Sequence, residues 1–192
     1  MTLEGKRIGF VMTGSFCTFK KTIPQIKKIL EEGGEVLPIM TDHSYEMDTK
    51  FGKAADFKKE IEDITGKKII HTIQEAEPIG PKGLTDVMVV APCSGNTLGK
   101  LAQAIVDNAA LMAIKSHLRN ENPLIIGIST NDGLGASAQN IGILLNRKHI
   151  YFIPFRQDNP ITKPRSLVFD PEYIIPTIEI ALDREQIQPV LL

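Results

Sequence analysis

The stretch "DVMVVAPCSGNTLGKLA" (86–102) decides how this chain is read. Its first part is an unbroken apolar, β-branched run, and its last part has helical spacing, with Leu98, Leu101 and Ala102 on one face. A strand that is apolar at every position has both faces covered, as in a parallel sheet flanked by helices. Between strand and helix lie Cys93, Ser94, Asn96 and Thr97, more hydrogen-bonding side chains than a chain reversal requires.

Similar runs recur on both sides: "RIGFVM" (7–12), "EVLPIM" (35–40), "KIIHTI" (68–73), "PLIIGIS" (123–129) and "HIYFIP" (149–154). Ile23, Ile26 and Leu30 share a helix face after the first of them, and the glycines of "EEGGE" (31–35) suit a left-handed cap. The helix after Asn96 is expected to continue through Ile105, Ala109, Met112 and Ala113, and Leu134, Ile141, Leu144 and Leu145 mark another. Strands alternating with helices call for a parallel sheet, because each crossover needs a helix-length connection. The expected fold class is α/β: a three-layer, doubly wound, mainly parallel sheet of about six strands, in one domain over 1–192. The segment "PFRQDNPITKPRS" (154–166) reads as an extended, proline-rich arm. A final helix near 171–185 is opened by Asp170 and Pro171 and delayed or kinked by Pro176.

With 192 residues, 42% of them hydrophobic, the chain can bury a sizeable core, which excludes intrinsic disorder. Its 22 basic and 23 acidic residues give a net charge of −1 without a basic block, which speaks against nucleic acid as a partner. No apolar run is long enough to span a bilayer. The opening "MTLEGKRIGFVMTG" lacks the features of a secretion signal, so a cytoplasmic location is expected. Cys17 and Cys93 are too few for a disulfide framework and lack metal-ligand spacing, so no metal is expected.

Ligands of open parallel sheets bind beyond the carboxyl ends of the strands, where the strand order reverses. The loops there are Thr13-Gly-Ser-Phe-Cys-Thr18, Thr41-Asp-His-Ser44, Pro92 to Thr97, and Ser129-Thr-Asn-Asp-Gly-Leu-Gly135. In the common order 3-2-1-4-5-6, Gly14 and Ser15 face Ser94, Gly95 and Asn96 across one crevice. Gly14, Ser15 and Thr18 precede a helix and can cradle a phosphate with backbone N–H groups. Such residues also serve as plain N-caps, but several of these loops at one sheet edge fit a mononucleotide. The chain has neither G-x-G-x-x-G nor a Gly-Lys-Ser/Thr phosphate loop at this point. The expected cofactor contacts are Gly14, Ser15, Thr18, Thr41, Ser44, Pro92, Ser94, Asn96 and Thr97. By location, Cys17, His43 and Cys93 are the candidates for proton transfer. His71 and His149 lie inside apolar runs and read as structural, and His117, late in a helix, as a partner of carbonyl groups.

The segment "VVAPCSGNTLGKLAQAIVDN" (89–108) resembles the Pro-Ala-Ser-Ala-Asn-Thr motif of the FMN-binding flavoproteins, a family that includes peptidyl-cysteine and phosphopantothenoylcysteine decarboxylases and prenyl-flavin synthases. The matching positions are Asn96, Thr97, Lys100 and Ala104-Ile105-Val106-Asp107. "GFVMTGSFCTFK" (9–20) is similar to the family's first strand and phosphate loop, and 126–155 to its later segment, through Asn131 and Asn140-Ile141. The resemblance implies FMN as cofactor and a homo-oligomer with the flavin near the boundary between copies. It departs at one point: "EAEPIGPKGLTD" (75–86) lacks the histidine of the decarboxylases, which removes the expected proton-transfer group. Within the family, the closer resemblance carried by "IGFVMTGSFCTF" (8–19), "APCSGNTLGKLA" (91–102) and "STNDGLGASAQNIG" (129–142) implies an oxidoreductase component working with a nicotinamide-binding (NADP or NAD) partner on a ring with two carboxylates. Asn131, Gly133, Gly135, Ser137 and Asn140 are the expected substrate contacts, ahead of Arg156 and Lys163. The alternatives are a decarboxylase of a carboxylated cysteine derivative and a non-catalytic, stabilising component with a vestigial pocket.

Overall fold

A computed structural model describes residues 2–192. Strands β1 (Arg7–Met12), β2 (Glu35–Met40), β3 (Val87–Cys93), β4 (Leu124–Thr130) and β5 (Ile150–Phe152) pair in parallel. An antiparallel hairpin of β6 (Phe155–Asn159) and β7 (Lys163–Phe169) completes a seven-stranded mixed sheet in the order β2-β1-β3-β4-β7-β6. The outer edge of β4 is shared: Leu124 to Ile126 take β5, whereas Ser129 and Thr130 take Val168 and Leu167 of β7. The apolar run after Asp86 is interior, since every residue of β3 is buried. β1 lies between β2 and β3, so the order reverses there and the carboxyl ends of β1 and β3 adjoin.

Helices α1 (Phe19–Glu31), α3 (Ala54–Thr65) and α8 (Ile174–Leu182) pack together, and α5 (Gly95–Ala102) packs with α6 (Ala109–Leu118) and α7 (Ala138–Leu145). Right-handed crossovers running in opposite directions from the centre of the sheet put the two sets on opposite faces. α1 buries Ile23, Ile26 and Ile29 and turns its lysines outward, and Gly33 ends it with φ +86°. Phe10, Phe19, Phe152 and Phe169 are fully buried in the core, each contributing about 1.5–3 kcal/mol. Two short helices, α2 (Asp42–Glu46) and α4 (Ile73–Ala76), start where Thr41 and Thr72 accept backbone hydrogen bonds. Among the described residues no helix is long and apolar enough to cross a membrane.

The structure departs from the sequence pattern at five places; the simplest is Leu134, which is exposed and lies ahead of α7 rather than in it. The helix expected from Leu98 to Ala113 is two helices: α5 ends at Ala102, Ala104 turns left-handed at φ +58°, and Asn108 caps α6 by accepting from the Leu111 amide at 3.0 Å. Ile105 is consequently exposed rather than in the core. The run 68–73 forms only a bridge, Ile70 to Ile39 on the outer edge of β2, because the capping box of Thr72 and Glu75 draws the chain into α4. The proline-rich arm is the β6–β7 hairpin, with Pro160 in its turn and Asn159 accepting from the Ile161 and Thr162 amides. Asp170 caps a 3-10 turn, and Pro176 then falls in the first turn of α8, where no intrahelical amide is needed.

His117 closes the opposite end of the sheet. It lies in the last turn of α6, 1% exposed, with Nε2 at 3.0 Å from the Pro123 carbonyl and Nδ1 at 2.8 Å from the Thr85 hydroxyl. A carbonyl only accepts, so Nε2 carries the proton and Nδ1 accepts from Thr85. Burial favours this neutral ring and holds its pKa below the usual histidine value.

Candidate functional site

Three loops at the carboxyl rim are laced together by short hydroxyl-bearing residues. Thr13 is fully buried; its hydroxyl donates to the Pro92 carbonyl at 2.8 Å and accepts from the Ser94 amide at 2.9 Å. Ser15 Oγ donates to the Ser129 carbonyl at 2.6 Å, tying the loop after β1 to the end of β4. Ser94 caps α5, accepting from the Thr97 amide at 3.3 Å. These bonds fix the backbone, so the side chains left over face a preformed space.

That space is two hollows with a common wall. The larger, about 930 Å³, is lined by the loop 14–18, Lys21, Phe51, Ser94 to Asn96, Ser129 to Asp132, and Arg156, Asp158, Lys163, Ser166 and Leu167 of the hairpin. The smaller, about 500 Å³, is lined by Thr41, Asp42, His43, Met47, Thr97, Lys100, Asp107 and Asn108. Gly14, Phe16, Ser94 and Asn96 border both. The crevice expected between Ser15 and Asn96 is therefore present. Both volumes lie in the range that holds small ligands, roughly 300–1,000 Å³. A third hollow, by Tyr45 and His71, includes none of these loops.

The charges of the larger hollow are largely paired. Arg156 meets Asp170 at 3.0 Å, and Lys163 meets Asp158 at 2.6 Å. The Asp158 hydrogen bond keeps Lys163 above the usual lysine range. Asp132 has a different setting: its Oδ1 accepts from the Thr130 hydroxyl at 2.6 Å and the Ser137 hydroxyl at 2.8 Å. The Thr130 bond, above all, holds the carboxyl below the usual carboxylate range. Gly95 is pressed against the same cluster; a Cβ there would lie 2.6 Å from Thr130 Oγ1 and 3.0 Å from Asp132 Oδ1. In the smaller hollow Lys100 is held by Asp107 at 2.6 Å. The backbone amides of Gly14, Asp42 and His43 donate to nothing among the described residues and remain available to an anionic oxygen. Hydroxyls, amides and the apolar Phe16 and Met47 in that space fit the phosphate and ring of a flavin mononucleotide.

Of the expected cofactor contacts, Gly14, Ser15, Thr18, Thr41, Ser94, Asn96 and Thr97 border one hollow or the other. Ser44 and Pro92 do not: the Ser44 hydroxyl is fully buried on the Met12 carbonyl, and Pro92 offers its carbonyl to Thr13. Cys17 is exposed in the larger hollow and His43 stands in the smaller one. Cys93 is fully buried, and burial pushes its thiol far up, so it borders neither hollow and serves the core.

Asn131 lines the larger hollow, but Gly133, Gly135, Ser137 and Asn140 do not. The loop spends its amides on itself and on the hairpin: Leu134 N donates to the Arg165 carbonyl at 3.0 Å, Gly135 N to the Asp132 carbonyl at 2.8 Å. Gly133 is needed because a Cβ would lie 2.6 Å from Leu167 Cγ. The cationic side chains that line the larger hollow are Lys21 and, from the hairpin, Arg156 and Lys163. Sequence reasoning missed Lys21, Phe51, Thr130, Asp132 and Ser166. Thr130 and Asp132 sat inside a loop already singled out, and their polarity was the available signal; nothing local marks Phe51 or Ser166.

The comparison with known proteins agrees with this architecture. The family model described as "Flavoprotein" matches residues 1–163. The dipicolinate synthase B subunit of Bacillus subtilis (strain 168) is 47% identical over 190 residues, covering 99% of this chain and 95% of that protein. The crystal structure of the dipicolinate synthase B subunit from Bacillus halodurans C superposes with a TM-score of 0.92 at 46% identity, covering 100% of this chain and 98% of that one. The FMN-dependent cysteine decarboxylase SpaF shares the fold, with a TM-score of 0.68 at 20% identity over 93% of this chain and 96% of its own. By its sequence match and by its mostly parallel, doubly wound sheet, the chain belongs to the flavoprotein family.

Proposed function

We propose that this chain acts as the B subunit of a dipicolinate synthase. With a nicotinamide-binding A subunit, using NADP or NAD, it oxidises dihydrodipicolinate to dipicolinate in the mother cell of a sporulating bacterium. The observation that carries this is the pair of hollows meeting at Ser94 and Asn96, together with full-length similarity to the B subunit of the Bacillus subtilis enzyme. The smaller hollow is assigned to FMN, which supplies two-electron acceptance when bound. Gly14, Thr41, Thr97 and the free amides would hold the cofactor there. Lys21, Arg156 and Lys163 in the larger hollow match a substrate with two carboxylates. The chain's share of the work is to place the ring against the common wall and exclude water, because aromatisation itself is downhill once an acceptor is present. A part of the site contributed by a second copy follows the family expectation of a homo-oligomer.

The test is turnover of dihydrodipicolinate by the purified chain with its A subunit, followed by the ultraviolet absorbance of dipicolinate; no turnover by the pair would sink the proposal. Binding is checked separately by quenching of flavin fluorescence. Asn96→Ala is expected to weaken FMN about tenfold or more, since Asn96 borders both hollows and caps nothing. Equal affinity in the variant would move the cofactor elsewhere.

A further inference from the structure

We infer that Asp132 takes the proton in the oxidation, with Oδ2 as the accepting atom; this rests on the proposed function. Oδ1 is occupied by two hydroxyl donors and pressed against Gly95, whereas Oδ2 receives no side-chain hydrogen bond. Asp132 lines the larger hollow, and Oδ2 is the oxygen that its hydroxyl partners leave without a donor.

The other groups fail on position. Cys93 is sealed in the core, and His43 stands in the smaller hollow. Asp158, the second carboxylate of the larger hollow, is bound by Lys163. Cys17 borders the same space as Asp132, but its sulfur makes no hydrogen bond among the described residues that would hold it in place. Asp132 is already ionised at neutral pH, because its two hydroxyl bonds favour the charged form. Such a carboxylate is a weak base. That suffices here, since the product ring gains aromatic stabilisation.

The step balances with one acceptor. A ring C–H breaks and its electron pair leaves with the hydrogen, as hydride, for a two-electron acceptor of the flavin or nicotinamide class. The neighbouring C–H gives its proton to Asp132 Oδ2, and the pair left behind closes the last π bond. The substrate is oxidised by two electrons, the acceptor is reduced by two, and the carboxylate becomes a carboxylic acid that later returns its proton to water. An ionised carboxylate beside the ring also steadies the positive charge that builds up as hydride departs.

Asp132→Asn tests this in the complete two-subunit enzyme. The amide oxygen still accepts from Thr130 and Ser137, but no proton acceptor remains at the other position. We expect kcat to fall about 100-fold or more with KM held within about threefold, and Asp132→Glu to recover part of the loss. Dipicolinate should bind the variant chain as tightly as wild type or more so, because a dianion no longer faces a carboxylate. Unchanged kcat with an active wild-type pair overturns the inference alone. So does a fall in kcat matched by weaker dipicolinate binding, or by failure of both Asp132→Asn and Asp132→Glu to fold, since a structural role predicts those. An inactive wild-type pair overturns the functional proposal and this inference with it.

Discussion

Gly95→Ala is expected to lower the melting temperature by several degrees and to spoil the larger hollow, whereas Gly99→Ala, one turn later on the same helix, raises stability. The difference is geometric. At position 95 the added methyl would come within 2.6 Å of Thr130 Oγ1 and 3.0 Å of both Asp132 Oδ1 and Ser137 Oγ. Three oxygens that hold one another cannot retreat together without breaking the Thr130 and Ser137 bonds to Asp132. Overpacking of this kind costs about 1–3 kcal/mol. At about 2–4 °C per kcal/mol for a chain of this size, the melting point falls by roughly 2–12 °C. At position 99 the nearest atom to a Cβ is Asn140 Nδ2 at 3.5 Å, an ordinary contact. There the alanine contributes about 0.5–1 kcal/mol through helix propensity and a less disordered unfolded chain. Scanning calorimetry on the two variants decides the matter; equal shifts would refute the close approach of α5 to the end of β4.

Removing the His117 ring should cost more. His117→Ala empties a fully enclosed site and strands the Thr85 hydroxyl and the Pro123 carbonyl, both buried. The loss of packing and of two hydrogen bonds together is about 3–5 kcal/mol. The pH dependence follows from the direction of the shift. Burial lowers the folded-state pKa, so below about pH 6.5 the unfolded chain binds a proton that the folded chain refuses. Its contribution is thus complete above that pH and is lost as pH falls toward the folded value. Urea unfolding between about pH 7.5 and 5.5, a window that brackets the ordinary histidine value, should show wild type losing stability on acidification, with a shallower slope in His117→Ala. A parallel slope in the variant would mean that other groups govern the acid limb.

How much of this was legible beforehand varies with the range of the interactions. Strand β3 announced itself because burial on both faces leaves no polar alternation, and that signal is local. The facing of Ser15 and Asn96 was legible too, because loops after parallel strands share one rim whatever their composition. The break at Ala104 was not. The apolar spacing of Leu98, Leu101, Ile105 and Ala109 runs across it, and an alanine at positive φ leaves no trace in the pattern. The strand expected at 68–73 failed because Thr72 and Glu75 make a better helix start than a sheet edge. The glycine loop 131–137 misled for a tertiary reason. Its amides look free in the sequence, but Arg165 and Leu167 of the hairpin arrive from some thirty residues away to fill that side. Asp132 was overlooked because a carboxylate in a loop normally faces water; the donors that single it out are Thr130 and Ser137.

The divided edge of β4 has a consequence for motion. The β6–β7 hairpin is joined to it through Ser129 and Thr130 alone, while β1 and β3 are locked between neighbours over their length. Amides of the hairpin should exchange with deuterium through small, frequent openings, and those of β1 and β3 only when the whole chain unfolds. The larger hollow would then have walls of unequal stiffness, one anchored as firmly as the core and the other free to breathe.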